Sequence, residues 1–370
     1  MQREPGATVV IVGAGLIGLA IAYELAGRGA TVHVIDANEP GRAASWAGAG
    51  MLAPYTETHV SAAFETFCIS SLERYPGFAR EVQGRGGVDV RLQLDGVVEA
   101  AYDEADETRM RARPRTRWLA REELLFMEPA LGPGVRGGAL CEAEGQVDNR
   151  RLGRALRAGC AALGVRLDER AGRVAIETDA RRVLGVRGPL GFIPAGAVVN
   201  ATGAWAGALE GVPDHARVPV KPVKGQMLAL AMPRGLVRRV VWLPGAYLVP
   251  RDDGRLLVGA TVESVGFDVR VTARGVGSLL EAALGAVPAL GDLAVAETWA
   301  GLRPGSADGL PYIGATSLGG YYVATGHYRN GILLTPATAE LIADILEGRS
   351  NGIAAFSPLR VHEASAAVEK

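Results

Sequence analysis

The sequence predicts an α/β fold, α+β overall, in which a parallel, helix-covered sheet forms one domain and an antiparallel β-sheet forms a second. Three observations carry this. A strand, glycine turn, helix and second strand follow one another without interruption over residues 8–36; buried-type apolar strands of the same kind return far downstream, at 197–200 and 321–324; and two blocks with period-two alternation separate them. The expected division is discontinuous, with residues 1–85, 146–222 and 297–370 in the first domain and 86–145 and 223–296 in the second.

The opening unit reads TVVIVGAGLIGLAIAYELAGRGATVHVID. Residues 8–12 are a β-branched run short enough for a fully buried strand, and Gly13, Gly15 and Gly18 follow in the order G-x-G-x-x-G. Gly13 permits a tight turn, Gly15 lets backbone approach a pyrophosphate, and Gly18 lets the helix pack on the strand, with Ala14 and Ile17 beside them at the helix's positive end. The second strand delivers Asp36, whose carboxylate can accept hydrogen bonds from ribose hydroxyls. Together these features define a Rossmann-like dinucleotide-binding unit.

With 370 residues and 48% hydrophobic content, the chain can bury a large core and exceeds one ordinary domain. A net charge of −1 with interspersed signs offers no basic block for nucleic acid or an anionic membrane surface, so the expected ligand is small. Cys68, Cys141 and Cys160 form no C-x-x-C pair, and five scattered histidines offer no metal-site spacing, so no metal is expected. The apolar start is broken by glycines after five residues, unlike a signal peptide or membrane span, and a soluble cytoplasmic protein is expected, with a homo-oligomer left open.

After Asp36 comes GRAASWAGAGMLAP, residues 41–54, dense in small side chains that let backbone approach a flat ligand. Arg42 and Ser45 could reach phosphate or ribose there, and Ala43, Ala47, Gly48 and Met51 are further candidate contacts. Residues 61–80 read as a helix with Phe64, Phe67, Cys68 and Leu72 on its core face. The stretch VDVRLQLDGVVEAAY then alternates as strands, with Asp95-Gly96 as a hairpin signal, and RGGALCEAEGQVD brings the chain back. Asp148 is positioned to cap a helix carrying Leu152, Leu156, Cys160 and Leu163 on one face, which makes Cys160 a core thiol. Short strands follow, one beginning at Val174, another candidate cofactor contact.

AVVNATGAWAG, residues 197–207, is a buried strand ending in Asn-Ala-Thr-Gly, which a nicotinamide dehydrogenase does not need. A cofactor as long as FAD requires contacts from several distant segments, and Ala201, Thr202, Gly203 and Trp205 supply candidates. Residues 221–263 resume β character, and a helix with Val276, Leu279, Leu280, Ala283 and Leu284 on one face covers the resulting sheet. Glycine grammar recurs in YYVATGHYRNGILLTPATAELIADILEG, residues 321–348: a strand enters a turn whose backbone amides could meet a flavin carbonyl, through His327, Tyr328, Arg329, Asn330, Gly331 and Ile332. Asn330 and Thr335-Pro336 are both start signals, so one kinked helix and a turn followed by a fresh helix stay open; residues 357–370 lack a compact pattern and are expected to fray.

The segments VGAGLIGLAIAYEL, AGAGMLAP, VVNATGAW, KPVKGQM, YLVPR, GLRPGSADGLPYIG and ATGHYRNGILLTP, in this order, resemble the D-amino-acid oxidase superfamily, and within it most resemble the glycine oxidases of thiamin biosynthesis. The resemblance implies a discontinuous FAD domain with a β-sheet substrate domain laid over the flavin. It implies Arg303 as the anchor of a substrate carboxylate, Tyr247 over the substrate, Arg329 near flavin and substrate, and Met51 and His327 lining the flavin. Sarcosine oxidases of this fold hold FAD through a cysteine in the C-terminal half; this chain has none beyond Cys160, which implies non-covalent FAD.

The chemistry agrees with the residue types. Hydride transfer from Cα to flavin N5 needs orientation and a neutral amine rather than a nucleophile or metal, and a planar bidentate cation suits a carboxylate. Arg303 could equally be a structural ion pair with Glu297 or Asp308, and Tyr247 a half-buried sheet aromatic. The expected function is oxidation of glycine, sarcosine or small D-amino acids by FAD with oxygen as acceptor, giving a 2-oxo acid, ammonia and peroxide. The alternatives are a dehydrogenase of the same fold that uses a quinone or partner protein, and a non-enzymatic flavoprotein.

Overall fold

The computed structural model describes residues 8–179 and 181–361. Its first sheet runs, edge to edge, Tyr312–Ala315, Tyr321–Thr325, Ala197–Asn200, Val9–Val12, Val32–Ile35 and Arg166–Asp168. Every neighbouring pair is parallel except the first, which is an antiparallel hairpin. Val9–Val12 and Ala197–Asn200 are buried along their whole length, as a parallel sheet covered on both faces requires. Val9 and Ile11 face the helices Leu16–Gly27, Ala62–Gly86, Asn149–Ala162 and Thr335–Leu346. Val10 and Val12 face Ile176 and Val186 of a three-stranded antiparallel layer, Ala175–Thr178, Val183–Gly188 and Gly191–Pro194.

Local signals set the helix ends. Ser61 accepts the Phe64 amide at 3.2 Å, and Asp148 accepts the Arg151 amide at 3.0 Å. The first of these helices continues past residue 80 to Gly86 and stops where Gly87 turns left-handed, at φ 67°. Cys160 is buried in the core with Leu152 and Leu156. Near the C-terminus, Thr335–Leu346 is a fresh helix with Pro336 in its first turn, so residues 326–334 are free to form a loop.

The second sheet has eight strands in the order Val295–Gly305, Lys221–Ala231, Arg255–Gly259, Ala246–Pro250, Val240–Leu243, Val97–Ala101, Gly137–Cys141 and Arg117–Ala120. It is antiparallel apart from Val240–Leu243 beside Val97–Ala101. Helix Ala273–Ala286, capped by Thr272, covers its outer face through Leu279 and Ala283.

Three expectations need correction. The hairpin at Asp95-Gly96 does not form: Gly96 turns at φ 101°, Gln93 bridges to Gln146, and only Val97–Ala101 enters the sheet. The alternation of residues 88–94 is thus used at the domain junction instead of in a local strand pair. The second excursion also runs beyond residue 296, because Val295–Gly305 pairs with Lys221–Ala231 as far as Gly305 opposite Lys221. Finally, residues 357–361 are packed, since Arg360 pairs with Asp308 at 2.8 Å and lies 4.0 Å over the Tyr312 ring, while 362–370 fall outside the described residues. Among the described residues no helix is long and apolar enough to cross a membrane.

Candidate active site

The glycine turn is built on steric necessity. Gly13 sits at φ 105°, and a Cβ there would come within 2.5 Å of the Ala201 carbonyl; one on Gly18 would overlap the Gly13 carbonyl. Strand, turn and helix can therefore approach only without side chains, which also places Ala201 and Thr202 beside the turn. Asp36 accepts the Ala14 amide at 2.7 Å and the Asn38 amide at 2.8 Å. Burial lifts its carboxyl above the ordinary range, and these backbone donors oppose the shift. Ser45 Oγ takes the Leu16 amide at 2.9 Å, while Arg42 is exposed and lies 4.6 Å over Trp46.

Two sets of donors remain without protein acceptors among the described residues: the amides of Gly15 and Ile17 at the start of the first helix, and those of Gly331 and Ile332 in the turn after Tyr321–Thr325. The first set fits a pyrophosphate and the second a flavin carbonyl, so the residues present fit FAD. Between them, the Ile332 side chain fills the space above Gly48, where a Cβ would sit 2.6 Å from its Cδ1. His327 is buried, bonded to Thr338 Oγ1 at 3.1 Å, and desolvation lowers its pKa to about 3. The shift favours the neutral imidazole. Asn200 gathers the Thr202 amide and hydroxyl at 3.2 and 2.7 Å, and Thr325 Oγ1 donates to Gly203 O at 2.9 Å. Tyr328 takes a left-handed φ of 49°, with its amide on Pro304 O at 3.0 Å. Val174 packs with Ile35 and Ala171, next to Asp36 in space. Trp205 is 43% exposed and its ring stacks on Phe267 at 5.6 Å.

The sheet supplies the other wall. Arg303 and Tyr247 lie flat over it because their neighbours are glycines: a Cβ on Gly225 would overlap the Arg303 guanidinium, and one on Gly259 would lie 2.6 Å from the Tyr247 hydroxyl. Met227, Tyr247, Trp299, Ala47, Ala49 and Met51 pack into one cluster, which brings the small-residue loop onto this face. Arg303 makes neither ion pair open to it from sequence. Glu297 is taken by Arg150 at 2.9 Å and Asp308 by Arg360, and the Arg303 guanidinium donates to the Thr261 carbonyl at 3.1 Å. Thr261 is itself held through its hydroxyl, which takes the Gln226 amide at 2.9 Å and donates to Glu263, a carboxylate that Lys224 and Gln226 also bind at 3.3 and 2.7 Å. Tyr247 shares the cluster: desolvation raises its phenol pKa, and Arg303 and Arg329 oppose the rise.

Several contributors carried no sequence signal of their own. Gly225 and Gly259 matter only through what crosses them. Arg150 lies 3.6 Å from the Trp46 ring and 4.8 Å from that of Trp299, clamping loop to sheet. Burial lifts the Glu57 carboxyl above the ordinary range, and Arg329, His59, Asn330 and Arg303 oppose the rise. Its residue type was visible, but the loop geometry that turns it inward was not.

The sequence matches the FAD dependent oxidoreductase family over residues 8–345. It is 38% identical over 346 residues to a glycine oxidase of Pseudomonas aeruginosa, covering 92% of this chain and 95% of that protein. It is 39% identical over 360 residues to a bifunctional protein ThiO/ThiG of a Synechocystis species, covering 95% of this chain but 54% of that longer protein. The solved structure of glycine oxidase from Geobacillus kaustophilus superposes with a TM-score of 0.89 at 36% identity, covering 96% of this chain and 99% of that one. The chain thus belongs to the FAD dependent oxidoreductase family.

Proposed function

We propose that the protein is an FAD-dependent oxidase of glycine and other small amino acids such as sarcosine and small D-amino acids, supplying the imino product to thiazole formation in thiamin biosynthesis. The observation that carries this reading is Arg303: a half-buried residue whose guanidinium has no carboxylate within 4.0 Å among the described residues and lies within hydrogen-bond reach of Tyr247. A cation placed this way recruits a carboxylate bidentately and fixes the rest of the substrate relative to it. Bound FAD would accept the hydride at N5. The protein's part is orientation: Arg303 holds the carboxylate and Tyr247 limits its swing. No side chain here is needed as a nucleophile. The identity to proteins named glycine oxidase supports the substrate class.

A peroxide-coupled assay under air with glycine, sarcosine, D-alanine and D-proline tests the reading, with glycine expected to give peroxide. Reduction of an artificial dye without peroxide would instead make the protein a dehydrogenase. The flavin itself is expected to be released by acid precipitation, since Cys68, Cys141 and Cys160 are all buried core thiols. Yellow colour that stays in the washed pellet would refute non-covalent binding.

A further inference from the structure

The strand Arg255–Gly259 ends before residue 261, and residues 264–267 are exposed, so the segment carrying Thr261 is not fixed by a long ladder. It is fixed to Lys221–Ala231 by a few specific bonds. The Thr261 amide donates to Gln226 O at 3.2 Å, and Lys224 and Glu263 exchange backbone bonds at 2.9 Å in both directions. Side chains complete the hold. The Thr261 hydroxyl accepts the Gln226 amide at 2.9 Å and donates to Glu263 Oε1, which Gln226 Nε2 also reaches at 2.7 Å. Glu263 Oε2 lies 3.3 Å from Nζ of Lys224, a buried lysine with no other carboxylate within 4.0 Å among the described residues. Desolvation would lift the Glu263 carboxyl, but Thr261, Gln226 and Lys224 outweigh it and hold the group below the ordinary range.

Gln226, fully buried, ties this cluster to the helix that covers the sheet. Its Oε1 accepts the Thr272 amide at 2.7 Å, and its Nε2 donates to Thr272 Oγ1 at 3.1 Å, the hydroxyl that caps the helix at Gly275. Gly275 leaves the room, since a Cβ there would come within 2.4 Å of Gln226 Nε2. Lys224 and Gln226 alternate with Gly225 along their strand, so their side chains lie on the face opposite the Arg303 guanidinium that crosses Gly225. From that other face Arg303 Nη1 donates to Thr261 O at 3.1 Å and Lys224 O at 3.5 Å. Both bonds use Nη1, which leaves the Nη2 and Nε N–H groups for other acceptors. A planar fork held at one nitrogen by fixed carbonyls presents its remaining edge in a narrow range of orientations.

We propose that Thr261 is the positioning residue of the anchor: locked from the far face by Glu263 and Gln226, its carbonyl sets the plane in which Arg303 meets a substrate carboxylate. The inference rests on the reading of Arg303 as that anchor. Without the hydroxyl, the carbonyl is held by backbone bonds alone beyond the end of a strand. The guanidinium then samples more orientations, and the two-pronged contact forms less often.

The test uses FAD-loaded protein and two readouts, steady-state turnover of glycine and titration of non-reactive acetate against the flavin absorbance. Thr261→Val is expected to lower kcat/KM for glycine about tenfold, chiefly through KM, and to weaken acetate by a similar factor. Thr261→Ser, which keeps the hydroxyl, is expected to stay within about threefold of the unsubstituted protein. In an Arg303→Ala background, Thr261→Val is expected to change either readout by less than about twofold, because the guanidinium it positions is gone. An equal loss in both backgrounds overturns the proposal, as does no loss with Arg303 present while Arg303→Ala collapses turnover; either leaves the anchor reading standing. If Arg303→Ala itself changes neither readout, the anchor reading has failed. Loss of flavin from Thr261→Val would assign Thr261 to the cofactor's support and overturn the proposal too. Should Thr261→Val not fold, the paired change Lys224→Met with Glu263→Gln, which removes both charges behind Thr261, carries the same comparison with the same expected results.

Discussion

Arg303→Ala is expected to lower kcat/KM for glycine by about two to four orders of magnitude while FAD content stays near that of the unsubstituted protein. Removing one partner of a desolvated ion pair costs about 3–5 kcal/mol, and the partner lost here is the substrate's carboxylate. The fold should not suffer. The guanidinium donates to two backbone carbonyls, Thr261 O at 3.1 Å and Lys224 O at 3.5 Å, and Thr261 is held without it through its hydroxyl, which takes the Gln226 amide and donates to Glu263. Because Arg303 spans the gap left by Gly225, truncation opens space over the sheet and leaves no buried carboxylate unpaired. Arg303→Lys should recover only part of the loss, since an ammonium cannot make the two-pronged contact. The checks are steady-state kinetics on glycine and flavin absorbance per protein. Activity within about threefold, less than 1 kcal/mol, would mean that the carboxylate is held elsewhere, and Arg329 would be examined next. Flavin loss or unfolding would return Arg303 to a structural role.

Which features were readable from sequence follows from how local each is. The turn at Gly13, Gly15 and Gly18 and the carboxylate of Asp36 could be placed because turn, helix start and the end of the second strand lie within one supersecondary unit, and their spacing is dictated by its geometry. The buried strand Ala197–Asn200 and the cap at Asp148 are local in the same sense. Residues 88–94 misled because period-two alternation records which faces are buried and not which strand is the partner; Gln93 found Gln146 across the domain junction. The boundary near residue 297 was equally opaque, since the register of Val295–Gly305 with Lys221–Ala231 is a long-range fact. Arg303 lies between these cases: its chemistry is visible, but its freedom from Glu297 and Asp308 depends on Arg150 and Arg360 arriving from remote segments. Glu144 is further still from local reading, a carboxylate that only the fold brings to the Tyr55 and Thr56 amides and the Thr56 hydroxyl.

Arg251→Ala is expected to destabilise the protein by about 3–5 kcal/mol and to release its FAD, although Arg251 touches neither cofactor nor substrate in the arrangement described. Its side chain is buried, and its guanidinium donates to Gln146 Oε1 at 2.6 Å, Val147 O at 3.1 Å, Ala49 O at 2.8 Å and Asn149 Oδ1 at 3.1 Å. Every acceptor is a neutral oxygen, so truncation strands several buried acceptors at about 1–3 kcal/mol each before relaxation. The damage has a route to the cofactor. Asn149 Nδ2 donates to the Ser45 carbonyl at 2.7 Å, and Ser45 Oγ accepts the Leu16 amide at 2.9 Å, where the glycine turn enters its helix. Ala49, the third acceptor, belongs to the small-residue loop that packs against Met51 and Tyr247. Losing Arg251 therefore loosens the loop and the turn together, from the end of the Ala246–Pro250 strand that carries Tyr247. Arg251→Lys should recover less than half of the stability, because three donors on one flexible point cannot reach acceptors spread around a planar fork. Thermal unfolding with and without added FAD, and flavin retained after gel filtration, measure both effects. An Arg251→Ala protein that keeps its flavin and unfolds within about 1 kcal/mol of the original would show that relaxation or water replaces the guanidinium, and that the junction does not depend on it.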